Sequence, residues 1–248
     1  MNTYRWLTVM CLAASMPAYA SSAFKPIELK DSEMADLRGR YVMPGRIISF
    51  GIVMSTTWTN SAGDSITGSA NMQINASTIT PQFYVTTTST TGTGSAPNTG
   101  TGTVVGGSGL GSGQGVTQSV RAAGDGNTAN NGVDINVTRN GLAAANIVQS
   151  GKALVAGETI TGDSGAGQVS VSAKNGGLQM AVLAANNQGS VLQQIGGGNV
   201  NQSTLITGDL NAITNLTQIN VVMGNNNLNN ITRSLNLDQL KGLRTIGY

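Results

Sequence analysis

The feature that most constrains the fold is an alternation of period two that begins just after residue 46. Its first face would carry Ile48, Phe50, Ile52, Met54, Thr56 and Trp58. Side chains of a β-strand point alternately to opposite faces, so this pattern predicts a half-buried strand. Asn60 to Asp64 supply turn residues, and period two resumes from Ile66 to Ala76. Residues 41–88 are therefore predicted to be an antiparallel β-hairpin region, with 79–88 as a candidate third strand.

Shorter alternating runs recur from residue 116 to residue 235. They are Val133 to Val137, Val169 to Ala173, Leu178 to Val182 and Ile219 to Val221, each followed by an Asn- or Gly-rich turn. Such runs predict a strand-rich array. Their spacing is too irregular for a fixed repeat. We therefore expect a mainly β protein in which residues 116–248 form an irregular β-solenoid-like region, closed by a short helix or cap built on the leucines from 235 to 243.

The remaining segments are predicted to be non-core. Residues 89–115 are rich in Thr, Gly and Ser and are expected to form a flexible linker or exposed loop. Residues 21–40 read as a leader with a short helix, which is either a weak surface helix or a docking peptide for secretion machinery.

The first twenty residues have the pattern of an export signal. Arg5 precedes an apolar stretch, and Ala18-Tyr19-Ala20 fits the small-x-small cleavage pattern. Cleavage is expected between Ala20 and Ser21, and a retained membrane anchor is the alternative. The predicted location is extracellular, reached through the periplasm.

Composition excludes several classes of function. The chain has no His and a net charge of +2, and its one Cys, Cys11, would be removed with the signal. His-based catalytic sites, thiolate chemistry and zinc fingers are therefore excluded, and there is no basic patch for nucleic acid. We predict no enzyme activity and no cofactor. A calcium site in the turn Gly124 to Asn127 is a weak candidate, because the repeated pattern of calcium-binding solenoids is missing.

The polarity of the chain comes from neutral residues. Charged residues make up 10% of the sequence, far below the usual ~25%. Gly, Asn, Thr, Ser and Gln replace them alongside a steady supply of Val, Ile and Leu. This composition is typical of cross-β and β-solenoid proteins, in which uncharged polar side chains stack in ladders.

Four aromatic residues fall in the predicted hairpin region. They are Phe50, Trp58, Phe83 and Tyr84. A carbohydrate-binding platform is one interpretation, but core or cross-strand packing is the commoner use of such residues and is preferred.

Residues 36–54, which read DLRGRYVMPGRIISFGIVM, together with 58–63, which read WTNSAG, resemble the beginning of the mature FapE-type proteins. These proteins belong to the functional-amyloid (Fap) system of pseudomonads and related bacteria. The resemblance implies an exported accessory or minor component of an extracellular amyloid fibre. Its implied partners are the fibre subunits and an outer-membrane export pore. Fibre-forming subunits of this family tend to carry a cysteine pair near the C-terminus, which this chain lacks, so the main subunit is disfavoured.

Three hypotheses of function follow. The first is a biofilm-fibre component that acts by strand addition, since extended segments with free edges recruit further strands. The second is a β-solenoid adhesin, and the third is an extracellular chaperone that modulates subunit assembly. For strand addition the expected templating residues are Val169, Val171, Leu178, Met180, Val182, Ile219, Val221, Leu228 and Ile231.

Overall fold

The computed structural model describes residues 47–75, 81–107, 109–139, 149–174 and 177–224. These residues form twelve β-strands in two six-stranded sheets, which confirms the prediction of a mainly β protein. The predicted signal with its Ala20/Ser21 cleavage site, the leader helix, the terminal cap and the templating residues Leu228 and Ile231 lie outside the described residues.

The first sheet has the strand order β5-β12-β1-β2-β3-β6. Its strands are β1 (Ile47–Thr59), β2 (Ser65–Asn75), β3 (Tyr84–Thr90), β5 (Thr128–Arg139), β6 (Lys152–Ala153) and β12 (Ala212–Met223). The second sheet has the order β4-β11-β10-β9-β8-β7. Its strands are β4 (Val116–Ala122), β7 (Thr159–Ser164), β8 (Gly167–Lys174), β9 (Gly177–Ala184), β10 (Gly189–Gly196) and β11 (Asn199–Ile206).

Strands β1 and β2 form the predicted antiparallel hairpin, and period two sets its faces. Ile52, Met54 and Trp58 point inward and are buried, as the alternation predicts. Asn60 closes the turn, because its side-chain oxygen accepts hydrogen bonds from the backbone amides of Ala62 and Asp64, both at 3.0 Å.

The two sheets pack face to face, with β1 and β2 lying over β9 and β8. Large apolar side chains from both inner faces fill the space between them, including Trp58, Phe83 and Met180. At Gly68 the sheets approach closely, since a β-carbon there would lie 2.6 Å from Cγ2 of Val169. Most of the core is therefore an interdigitated layer between two twisted sheets.

The expectation of a solenoid-like array over 116–248 is not confirmed. Strands from this segment are divided between both sheets, and most neighbouring pairs are antiparallel. Strand β1 inserts between β12 and β2, so the predicted hairpin and the downstream strands share one core. Parallel pairing within the described residues is confined to β4 with β11 and β5 with β12.

The Thr/Gly/Ser tract crosses from one sheet to the other and is hydrogen-bonded along its first half. Backbone amides of Gly94, Gly100 and Gly102 donate to the carbonyls of Ala62, Asn186 and Thr207. Residues 94–102 therefore form a mostly exposed loop whose backbone is hydrogen-bonded to the turns around Ala62, Asn186 and Thr207. Glycine allows this close backbone approach, because a β-carbon at Gly100 would lie 2.2 Å from a carbonyl oxygen.

Helical structure in the described part of the chain amounts to two 3₁₀ turns, at 110–112 and 185–187. None of these helices has the length and apolar character needed to cross a membrane.

Candidate assembly site

Two segments of the chain form β-arches, in which one strand lies in one sheet and the next lies in the facing sheet. The first arch is residues 116–139, where β4 turns into β5. The second arch is residues 200–223, where β11 turns into β12. Both arches cross the core from the second sheet to the first.

The first arch stacks on the second in parallel and in register. Val116 pairs with Val200 in one sheet, and Thr128 pairs with Ala212 in the other. Every pair in both ladders keeps the same offset of 84 residues, across the intervening turn as well as along the strands. The two arches therefore superpose as consecutive layers of a single stack.

The two arches are also a sequence repeat. Ten of the 24 aligned positions (116–139 against 200–223) carry the same residue. The shared residues are Val116/Val200, Gln118/Gln202, Ser119/Ser203, Gly124/Gly208, Asp125/Asp209, Asn127/Asn211, Asn131/Asn215, Ile135/Ile219, Asn136/Asn220 and Val137/Val221. Parallel stacking brings these identical residues next to each other.

Identical amides form ladders between the layers. Gln118 Nε2 donates to Gln202 Oε1 at 2.8 Å, and Gln202 Nε2 donates to Gln193 Oε1 of β10 at 2.9 Å. Gln193 Nε2 completes the series by donating to Thr56 Oγ1 of β1 at 2.5 Å. Gln193 and Gln202 are fully buried, so their amides depend on these partners. The glutamine ladder thus runs from the sandwich centre to its β4 edge.

Asparagines make a second set of contacts between the arches. Asn215 Nδ2 donates to Asn131 Oδ1 at 2.8 Å, and Asn131 Nδ2 donates to the Gln202 carbonyl at 3.3 Å. At the turns, Asn211 Nδ2 donates to Asn127 Oδ1 at 3.2 Å. Each arch therefore carries amides that fit a copy of themselves in the neighbouring layer, as in cross-β stacks.

The first arch ends both sheets on the same side of the molecule. Within the described ranges no strand pairs with the outer edge of β4 or of β5. We call this the open side. Its inward-facing side chains are exposed, with Val116 at 47% and Ile135 at 55%, whereas Val200 in the next layer is 6% exposed.

Further inward-facing valines lie on the same open side. Val120 on β4 is 45% exposed and Val137 on β5 is 52% exposed. Their counterpart positions in the second arch are Thr204, which is fully buried, and Val221, which is half-buried. The core therefore ends at the first arch, where inward-facing apolar side chains stay exposed.

The structure places most of the predicted templating residues in the core. Val169, Val171, Leu178, Met180 and Val182 are buried on β8 and β9, and both strands are paired on each side. Strand addition needs an unpaired edge, which neither β8 nor β9 offers within the described residues. Templating by these five residues stays a prediction.

The other two described templating residues belong to the stack itself. Ile219 and Val221 lie on β12 in the second arch, directly under Ile135 and Val137. They are half-buried and lie one layer away from the open side.

The first arch was not among the candidate assembly residues that the sequence predicted. The signal that identifies it is the order Val-x-Gln-Ser, Gly-Asp-x-Asn, Asn and Ile-Asn-Val, which recurs once at an offset of 84. Comparison of neighbouring segments does not find it, because five strands separate the two copies along the chain.

The other candidate sites give a mixed outcome. Trp58 and Phe83 are buried in the core, so the packing interpretation is confirmed for them and a carbohydrate platform built on them is wrong.

At the weak calcium candidate, the Asp125 backbone amide donates to the Asp209 carboxylate at 2.7 Å. No cluster of three or more His, Cys, Asp or Glu side chains suited to a metal ion occurs among the described residues.

Comparison with known proteins identifies the family. The chain is 69% identical over all 248 residues to the functional amyloid subunit FapE of Pseudomonas fluorescens, and the match covers the whole of both chains. It is 40% identical over 241 residues to the functional amyloid subunit FapE of Pseudomonas aeruginosa, with 96% of this chain and 93% of the relative covered. No family model and no solved structure matches the chain. At these identities over nearly the full length, the chain belongs to the FapE family of functional-amyloid proteins.

Proposed function

We propose that this protein is an accessory or minor structural component of an extracellular functional-amyloid fibre in the biofilm matrix, and that it acts by strand addition at the open side of the first arch. The observation that carries the proposal is the in-register stack of two arches, whose outermost layer leaves both of its strand edges unpaired within the described residues.

Free strand edges recruit further strands through their backbone amides and carbonyls, and matching side chains fix the register. The edges of β4 and β5 end the two sheets at the same layer, so one incoming arch would pair with both. The relatives are named as amyloid subunits, which supports a fibre as the destination.

The opposite ends of the two sheets are poorer candidates. Strand β6 is two residues long and β7 is six residues long, whereas β5 is twelve residues long. Short edge strands discourage strand addition. The choice of edge is therefore based on strand length and on the exposed inward-facing apolar side chains of β4 and β5.

Co-purification with fibres tests this function. A strain that forms amyloid biofilm would express the tagged full chain, and its detergent-resistant fibres would be collected and dissolved in formic acid. We expect the tagged chain in the dissolved fibres at a level well below that of the main subunit.

Two other results would redirect the assignment. A chain that changes the lag time of subunit fibrillation but is missing from the fibres would be an extracellular chaperone. A chain that binds glycans and neither enters fibres nor alters their growth would be an adhesin.

The export pore as a partner stays a prediction and is checked by whether secretion of the chain stops when the pore is deleted.

A further inference from the structure

We propose that the open side receives one specific kind of partner: an unfolded segment of an amyloid fibre subunit that carries the same arch motif and folds onto the first arch in parallel and in register. This inference rests on the proposed function and names the partner and geometry of that site.

The first arch itself shows what an added layer would look like. It lies on the second arch through two parallel ladders and through matched pairs of glutamines and asparagines. An arch with the same motif, placed one layer further out, would meet on the first arch the residues that the first arch meets on the second.

The glutamine ladder has an unused acceptor on the open side. Each glutamine in the ladder accepts at Oε1 from the Nε2 of the next layer outward, as Gln193 does from Gln202 and Gln202 does from Gln118. In the part of the chain that the structure describes, nothing donates to Gln118 Oε1. A glutamine from an added arch would extend the ladder by one step, as amide ladders do in cross-β stacks.

Burial of the exposed valines favours the same event. Val200 is 6% exposed because a layer covers it, whereas its counterpart Val116 is 47% exposed. An added arch would bury Val116 and Val120 as the first arch buries Val200 and Thr204, and would bring Ile135 and Val137 to the half-buried state of Ile219 and Val221. Burial of apolar surface stabilises association.

A folded second copy does not fit this role. Its second arch is already flanked on both sides, by β4 and β10 in one sheet and by β5 and β1 in the other. The first arch of a second copy has the same free edges as the first arch of the receptor chain. Two open sides can therefore meet only around a two-fold axis, which makes the paired strands antiparallel. A parallel, in-register layer therefore needs an arch that is free on both sides, which means a segment that is not yet folded.

The geometry also makes the site one-ended. Beyond the second arch, β10 and β1 continue as an antiparallel sandwich rather than as further copies of the motif. A stack built on this chain would grow in a single direction, from the first arch outward, and this chain would form its end.

The test uses a fluorescent synthetic peptide of residues 200–223 as the added arch and the full chain as the receptor. Binding is followed by anisotropy. The blocking variant is Val116→Lys with Ile135→Lys, because inward-pointing charges on an edge oppose strand addition. Leu183→Lys is the matched control, since Leu183 is an exposed apolar residue on β9, which is paired on both sides.

We expect saturable binding to the unmodified chain and to Leu183→Lys, and at least a tenfold loss of affinity in the double lysine variant. Absence of binding to the unmodified chain, or equal binding to the double variant, would overturn the inference. Circular dichroism of each variant checks that the sandwich is intact.

Register is tested separately by disulfide formation in the Cys11→Ser background, which leaves the chain without other cysteines. Asn136→Cys in the chain is offered a peptide with Asn220→Cys or one with Val222→Cys. Neighbouring parallel strands lie ~4.8 Å apart, which a disulfide spans, whereas a two-residue offset lies beyond its reach.

A disulfide with the first peptide and not with the second is the expected result. Equal linkage to both peptides, or a chain–chain dimer in place of peptide linkage, would overturn the parallel in-register geometry. Presence of the chain in purified fibres with failure of both tests would reject this inference and leave the proposed function standing. Absence from fibres with intact peptide binding would reject the proposed function alone.

Discussion

Gln202 Nε2 lies 2.9 Å from Gln193 Oε1, and both side chains are fully buried between the sheets. Gln202 also donates to the Gly132 carbonyl at 2.9 Å, which ties β11 to the facing strand β5. A buried amide is costly unless its donors and acceptors are paired, so the pair stabilises this arrangement over others that would leave amides unpaired.

Replacing Gln202 by Leu should destabilise the protein by about 2–4 kcal/mol, because the partners of its amide lose their hydrogen bonds inside the core. Urea unfolding followed by far-ultraviolet circular dichroism measures the change. The control is Gln194→Leu. Gln194 follows Gln193 on β10, is half-exposed, and donates to Gln179 on the outer face of the sheet.

The double variant Gln193→Leu with Gln202→Leu separates pairing from burial. Removing both partners leaves fewer orphaned groups than removing one, so the double variant should cost less than the sum of the single variants, by about 1 kcal/mol or more. Additive costs would show that the two amides act independently.

Trp58 closes the turn end of the same core. Its Nε1 donates to Asn211 Oδ1 at 3.1 Å, and the ring is fully buried. Trp58→Phe should lower the free energy of unfolding by about 2–3 kcal/mol, since it orphans the Asn211 oxygen and leaves a cavity. Circular dichroism in urea measures this loss, and the half-exposed Tyr84→Phe, which should change stability little, serves as its control.

Local pattern was sufficient for the hairpin but not for the arches. Period two along 48–58 predicts which residues of β1 point inward, because strand geometry alone sets the two faces. The stacking of β4 on β11 is set by pairing between residues 84 positions apart, which no local pattern reports. The burial of Gln193 and Gln202 could not be predicted for a related reason, since an amide is stable in the core only when a distant partner completes its hydrogen bonds.

The predicted templating strands β8 and β9 show what alternation alone leaves undecided. Val169 and Met180 have the strong alternation of a strand, but alternation does not distinguish a central strand from an edge strand. The prediction was based on the strongly apolar side chains of β8 and β9. These side chains are buried in the core, and both strands lie inside the second sheet rather than at its edge.

Gly68 tests how tightly the sheets are packed. A β-carbon at this position would lie 2.6 Å from Val169 Cγ2 and 3.4 Å from the Met180 sulfur. Gly68→Ala should therefore cost about 1–3 kcal/mol through overpacking. Gly51→Ala is the control, because its β-carbon would meet its nearest neighbour at 3.7 Å. Equal urea midpoints for the two variants would contradict the close approach.

Asn131 joins the first arch to the second, and its loss should release that arch alone. Asn131 accepts from Asn215 at 2.8 Å and from Thr204 at 3.2 Å, in addition to its own donation to Ser119. In Asn131→Ala we expect amide hydrogen exchange over residues 116–139 to speed up at least tenfold while β8 and β9 keep their protection, because an edge layer opens locally before the whole sandwich unfolds. Asn130→Ala, whose exposed side chain lies on the opposite face of β5, should exchange like the unmodified chain. Uniform acceleration in all strands would mean that the arches and the rest of the core unfold as one unit, and the first arch would then be as firmly held as the centre of the sheet.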